Sequence, residues 1–166
     1  MNSIFTRRSM RKYLDKAVES EKCERILRAA MQAPTGHNAQ DFEFIVVTDD
    51  EMRLRLSRLG PYSHFAEKAP LHIVVCENTE RMWPQSNWQG NLGAVCQNIL
   101  LQVEEEGLGA CWIGVWPYPE RMAHVKEALA IPDSVIPYAL ISIGYKEYEK
   151  RFDDRFDTAK IHYGTY

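Results

Sequence analysis

Helices alternating with buried strands predict a chain folded around one central sheet, and periodicity by itself points to a parallel, doubly wound arrangement. Two observations carry this. Apolar residues recur at helical spacing at Cys23, Ile26, Leu27, Ala30 and Met31, and again at Leu92, Val95, Cys96, Ile99, Leu100 and Val103. Nearly unbroken apolar runs over 42–48, 71–76 and 135–143 suit strands covered on both faces.

The elements follow in order. Ser20 is a good N-cap for a first helix, which Pro34 stops. Phe42 to Thr48 reads as a strand, apolar on both faces and therefore central. Asp49-Asp50 cap a short helix through Leu59, ended by Gly60-Pro61. A buried strand covers Leu71 to Cys76. The longest helix runs from about Asn87 to Glu106, with Gly107 as its C′ residue. Ala110 to Val115 is a short strand. Pro119 starts a helix through Leu129, and Val135 to Ile143 is the last strand. The tail from Tyr145 to Tyr166 carries Tyr148, Phe152, Phe156 and Tyr163, too aromatic for a flexible tag and expected to pack against something, a second subunit included.

With 166 residues the chain fits one domain, 1–166. Apolar residues make up 45% and charged residues 26%, which argues against disorder, collagen and coiled coil. A net charge of -3 argues against a protein built to wrap nucleic acid. The opening residues lack an apolar signal-peptide core, and no apolar run approaches the roughly 20 residues of a membrane span. A cytoplasmic location and no membrane partner are expected. Cys23, Cys76, Cys96 and Cys111 form no Cys-x-x-Cys pair and the five histidines show no ligand spacing, so no metal site is expected.

Four segments carry the chemistry. Arg7-Arg8-Ser9-Met10-Arg11-Lys12 packs four cations and a hydroxyl into six positions of an otherwise acidic chain. Arginine matches phosphate oxygens bidentately and a serine hydroxyl adds a donor. On this cluster alone a phosphate cradle and a solvated basic terminus stand level. Ala33-Pro34-Thr35-Gly36-His37-Asn38-Ala39-Gln40 is an ordinary turn by itself, or a polar loop able to line a flat heterocycle. Gly107-Leu108-Gly109-Ala110-Cys111-Trp112-Ile113-Gly114 leads a helix end into a small-sided strand. Asp154-Arg155-Phe156-Asp157 begins a basic and aromatic group near the C-terminus.

In this order and at these separations, the four segments resemble the nitroreductase family of FMN enzymes, over nearly the whole chain. The Gly-x-Gly-x-x-Gly fingerprint of a Rossmann dinucleotide site is absent. The resemblance implies an α+β fold with a mixed central β-sheet flanked by helices. It also implies an intertwined homodimer with a flavin in each of two shared clefts. Arg7, Arg8 and Ser9 would hold the phosphate and ribityl chain, completed by Arg155. Arg11 would face the pyrimidine edge of the ring and tune its potential, while Lys12 faces solvent. Pro34, Thr35, Gly36, Asn38 and Gln40 would approach the ring from the other subunit, and Ile113 and Gly114 would bring backbone near N5.

The implied activity is ping-pong hydride transfer from NADH or NADPH to a nitroaromatic, quinone or similar small-molecule acceptor, with no catalytic side chain because the flavin carries the chemistry. The chain departs from the family where Asp41-Phe42 replaces the usual Pro-Trp, and it lacks room for the long mid-chain insertion that often forms a lid. Enone reduction or reductive dehalogenation on the same scaffold, a flavin-binding module without turnover, and a nucleic-acid partner using Arg7 to Lys12 are the competing readings. Trp112 is assigned to the core, and Trp88 and Trp116 are pocket candidates. His37 and the turn Tyr62-Ser63-His64-Phe65 have both a contact reading and a bland one, and the bland one is favoured.

Overall fold

The computed structural model describes residues 2–83, 87–151 and 153–166; Phe152 of the aromatic tail lies outside them. Among these, five helices and four strands follow in the order α1 Ser3–Thr6, α2 Ser20–Ala30, β1 Phe42–Val47, α3 Asp50–Leu56, β2 Leu71–Asn78, α4 Trp88–Glu105, β3 Leu108–Gly114, α5 Pro119–Leu129 and β4 Val135–Tyr145. The helix starts obey local chemistry. Asp49 caps α3 by accepting from the Met52 amide at 2.8 Å. Asn87 caps α4, Pro119 opens α5, and Gly107 follows α4 at φ 72°. Ser20 is not the expected cap. It is the first helical residue, after Glu19 at the N-cap, which makes no side-chain capping bond.

The strands form one sheet in the order β1-β2-β4-β3, and every adjacent pair is antiparallel. The α+β class therefore stands, and the parallel reading taken from periodicity does not. Helix α4 does link two strands of like direction, β2 and β3, as a helical crossover should. Strand β4 then inserts between them and reverses each pairing, which apolar spacing cannot reveal. The parallel component is a single bridge, Ser9 to Ala110, along the outer side of β3. Strand β1 is at an edge, not central as its composition suggests. Both faces of an edge strand can be covered, and Phe42 and Val47 are buried while Val46 is exposed.

Two apolar layers hold the sheet. On one face Ile26, Ala30, Leu92, Val95, Ile99 and Val103 of α2 and α4 pack on Ile73, Val75, Ala139 and Ile141. On the other, Leu56, Val125 and Ala128 of α3 and α5 cover Val74, Cys76, Ile113 and Leu140. Each fully buried aliphatic side chain contributes about 1.5–3 kcal/mol.

The N-terminal segment is fixed against β3 and β4 by Met10 N–H to Ala110 O at 2.8 Å and Leu14 N–H to Tyr145 O at 3.0 Å. The buried Tyr13 hydroxyl donates to Met10 O at 2.7 Å and lies 2.9 Å from Ser142 Oγ. A Cβ at Gly109 would meet Met10 Cγ at 2.6 Å and Lys146 Cγ at 2.7 Å, so only glycine lets this segment lie so close. The tail behaves unlike a packed element. Residues 153–166 are exposed throughout, Phe156 to 73% and Tyr163 to 90%.

Candidate functional site: two clefts along the N-terminal segment

The segment from Arg7 to Arg11 contributes residues to two clefts. The first, about 340 Å³, is lined by Ile4, Phe5, Arg7, Arg8, Asp153, Asp154, Arg155 and Phe156. It brings together three of the cations expected to grip a phosphate, two from the start of the chain and one from its end. Asp153 and Asp154 share the space and partly offset that charge. Arg8 spends much of its guanidinium on backbone, donating to Phe5 O at 2.9 Å, Arg7 O at 2.8 Å and Arg151 O at 3.3 Å. It thus ties the two chain ends together. Lys150 Nζ donates to Ser9 O at 2.5 Å and reinforces the same join.

The second cleft, about 220 Å³, contains Arg11, Ile113 and Gly114 together with Gly60, Tyr62, Ser63, Phe65, Cys111, Trp112 and Arg121. Arg11 lies 5.6 Å from the Phe65 ring centroid. Gly114 is not demanded by packing: an added Cβ would meet only Trp116 O at 3.7 Å and Tyr118 at 3.9 Å. The open side of the strand here is bare backbone. Cys111 borders the second cleft. Burial pushes its thiol up, and the charges of Arg11, Lys150 and Arg7 oppose that shift.

Sequence reasoning missed Arg121, whose Nη1 donates to Gly114 O at 2.7 Å while its guanidinium lies 4.3 Å from the Tyr118 ring centroid. Nothing local marks it among the other cations of α5. The turn at Tyr62 to Phe65 was given its bland reading, yet Tyr62, Ser63 and Phe65 all line the cleft. Trp88 and Trp116 do not. They pack edge-on at 5.4 Å with Tyr138 beside them. Trp112 packs on the core and also borders the cleft. Lys12 is exposed, as expected.

The loop Pro34–Gln40 lines neither cleft. Pro34, Gly36, Asn38 and Gln40 are exposed and Thr35 is half-buried. Its backbone is strained: His37, Asn38 and Gln40 sit at φ 55°, 54° and 49°, each costing about 1–2 kcal/mol. Four hydrogen bonds hold it: Gly36 N–H to Asn91 Oδ1 at 3.0 Å, Gln40 N–H to Thr35 Oγ1 at 3.1 Å, Asn38 N–H to Thr35 O at 3.0 Å and Ala39 N–H to Gly36 O at 3.1 Å. His37 stacks on Trp83 at 4.6 Å. Beyond Gln40 the chain enters β1 through Asp41, which is fully buried.

The sequence profile of the Nitroreductase family matches residues 4–68 and 57–145, most of the chain. This chain belongs to the nitroreductase family. An Archaeoglobus fulgidus protein named “Putative NADH dehydrogenase/NAD(P)H nitroreductase” is 39% identical, covering 98% of this chain and 95% of its own. An FMN-dependent nitroreductase from Clostridium difficile R20291 superposes with a TM-score of 0.92 at 33% identity, covering 99% of both chains. An FMN reductase (NADPH) of Bacillus subtilis is 28% identical over 87% of this chain and 65% of its own. The family's fold is thus present here. Among the described residues no helix is long and apolar enough to cross a membrane.

Proposed function

We propose that residues 1–166 form a single FMN-binding domain that acts as an NAD(P)H oxidoreductase on nitroaromatics, quinones or similar electron-poor acceptors. The observation that carries this reading is the pair of clefts at the two ends of one short segment, with Arg7, Arg8 and Arg155 in one and Arg11, Ile113 and Gly114 in the other. A cluster of cations in one cleft and bare backbone in the other suit a cofactor with a phosphate tail and a flat ring. Nitroreductase relatives named for FMN support the same choice.

FMN, when bound, supplies the two-electron relay through N5, first from NADH or NADPH and then to the acceptor, in ping-pong order. The chain's own residues orient and bias. Arg7, Arg8, Ser9 and Arg155 bind the phosphate and ribityl groups. Arg11 places fixed positive charge at the pyrimidine edge, favouring the more anionic reduced ring. Ile113 and Gly114 offer backbone at close range because Gly114 carries no side chain. Tyr62, Phe65 and Trp112 give the cleft aromatic faces suited to flat acceptors. No side chain acts as a nucleophile.

The working unit is a homodimer. Ile4 (63% exposed), Phe156 and Tyr163 leave aromatic and aliphatic surface at both chain ends uncovered, and a second copy covers it. In that unit Pro34, Thr35, Gly36, Asn38 and Gln40 of one protomer approach the ring bound by the other, consistent with a loop that lines neither cleft of its own chain. The test is the absorbance of freshly purified protein, with its elution volume, before and after anaerobic NADH. A dimer with a flavin spectrum that bleaches, then recovers on adding a quinone or nitroaromatic, is expected. Protein that neither retains nor takes up FMN contradicts the reading.

A further inference from the structure

Asp41 and Glu77 are an anomaly that the proposed chemistry does not use. Both are fully buried, and none of their four carboxyl oxygens finds a hydrogen-bond donor among the described residues. They stand at adjoining strand ends. Glu77 is the cross-strand partner of Phe42, and the amide of Asn78 donates to Asp41 O at 2.7 Å. Two ionised carboxylates in such a place would lack both solvent and counter-charge. One shared proton supplies the missing donor and removes one charge.

We propose that Glu77, protonated and donating to Asp41, forms with it a buried pair that positions the loop 35–40, holding its flavin-facing shape while that proton is bound. This rests on the reading that the loop contacts the ring. Asp41 directly follows Gln40, the last of three left-handed residues. A strained loop returns to ordinary backbone unless its ends are held. The entry is held by Asn91, and the exit by the burial of Asp41. Losing the proton leaves two buried negative charges without a donor, and the least costly relief is for Asp41 to turn outward and release the loop.

Among the described residues, the neighbouring elements carry the following charged groups. Strand β1 contributes Glu43, which accepts from Asn78 Nδ2 at 2.6 Å and lies 3.9 Å from Arg81. The segment after β2 contributes Glu80 and Arg81, and the loop contributes His37. Strand β4 places Ile136 opposite Glu77, and the first turn of α4 carries no acidic residue. Burial first, then the charge of Asp41 and a hydrogen bond to it, push the Glu77 carboxyl up to about 8. Folding therefore favours the protonated form. The stability it contributes is complete below about 4.5 and is lost as pH rises through about 8.

The experiment compares full-length wild type with Glu77→Gln between pH 7 and 9.5. It reads amide exchange protection at Gly36 and Gln40 by NMR, corrected for intrinsic rates, and FMN affinity by fluorescence. Wild type should lose protection above about pH 8 by up to about tenfold per pH unit, with FMN affinity falling in parallel. Glu77→Gln, which cannot titrate, should keep both flat. Loss of protection without loss of FMN affinity would support the proton-sharing pair but remove the loop from the flavin site. PH-independent protection in wild type would overturn the pair's role, and that result stands even if Glu77→Gln does not fold.

Discussion

The guanidinium of Arg121 donates to the carbonyl of Gly114 at 2.7 Å, fixing the last residue of β3 from the first turn of α5. A charged donor to backbone is worth about 1.5–3 kcal/mol when desolvated, and Arg121 is half-buried. Arg121→Met should lower stability by about 1–2 kcal/mol in urea unfolding and reduce NAD(P)H turnover, because the Gly114 backbone is then free to move. Unchanged stability and turnover would show that Gly114 is held by the sheet alone.

Arg11 offers a cleaner electrostatic experiment, since its side chain is exposed and its nearest aromatic contact is the loose one to Phe65. Arg11→Ala should retain flavin and lower its two-electron reduction potential by roughly 30–60 mV, taking 30 mV as about 1.4 kcal/mol. Spectroelectrochemistry reads this directly. An unchanged or higher potential would remove Arg11 from the ring's edge.

His72 contributes to the loss of stability in acid. It is buried on β2 with Nε2 placed 2.9 Å from Ala66 O. Burial lowers its proton affinity from 6.5 to about 4, the Ala66 contact opposes this, and the charge of Arg53 adds to it. The unfolded chain takes up the proton near 6.5 and the folded chain only near 4, so stability present above 6.5 is lost as pH falls through 4. His72→Gln keeps a donor and removes the titration. Its urea midpoint should fall less than that of wild type between pH 7 and 4, and parallel curves would contradict the assignment.

Secondary structure was legible where one periodicity dominated. The spacing of Leu92 to Val103 locates α4, and the run from Val135 locates β4, because burial of a helix stripe or a two-sided strand is written in residue type. Strand order and direction were not legible. The insertion of β4 between β2 and β3 depends on chain path, and Phe42–Val47 is equally apolar at an edge or a centre. At the candidate site, the arginines of the N-terminal cluster stood out because like charges were packed together. Arg121 and Gly60 did not, since each reaches the cleft only through the packing of α5 and the turn after α3. Nothing in the sequence marks Asp41 and Glu77 as buried, and only the meeting of two strand ends buries them.

The account depends most on a flavin phosphate gripped by Arg7 and Arg155. The direct measurement is FMN retention in Arg7→Ala/Arg155→Ala, read from absorbance after gel filtration, with circular dichroism and elution volume reporting the folded dimer. Loss of the cofactor from a folded dimer is predicted. Full retention by that double variant would contradict the central claim.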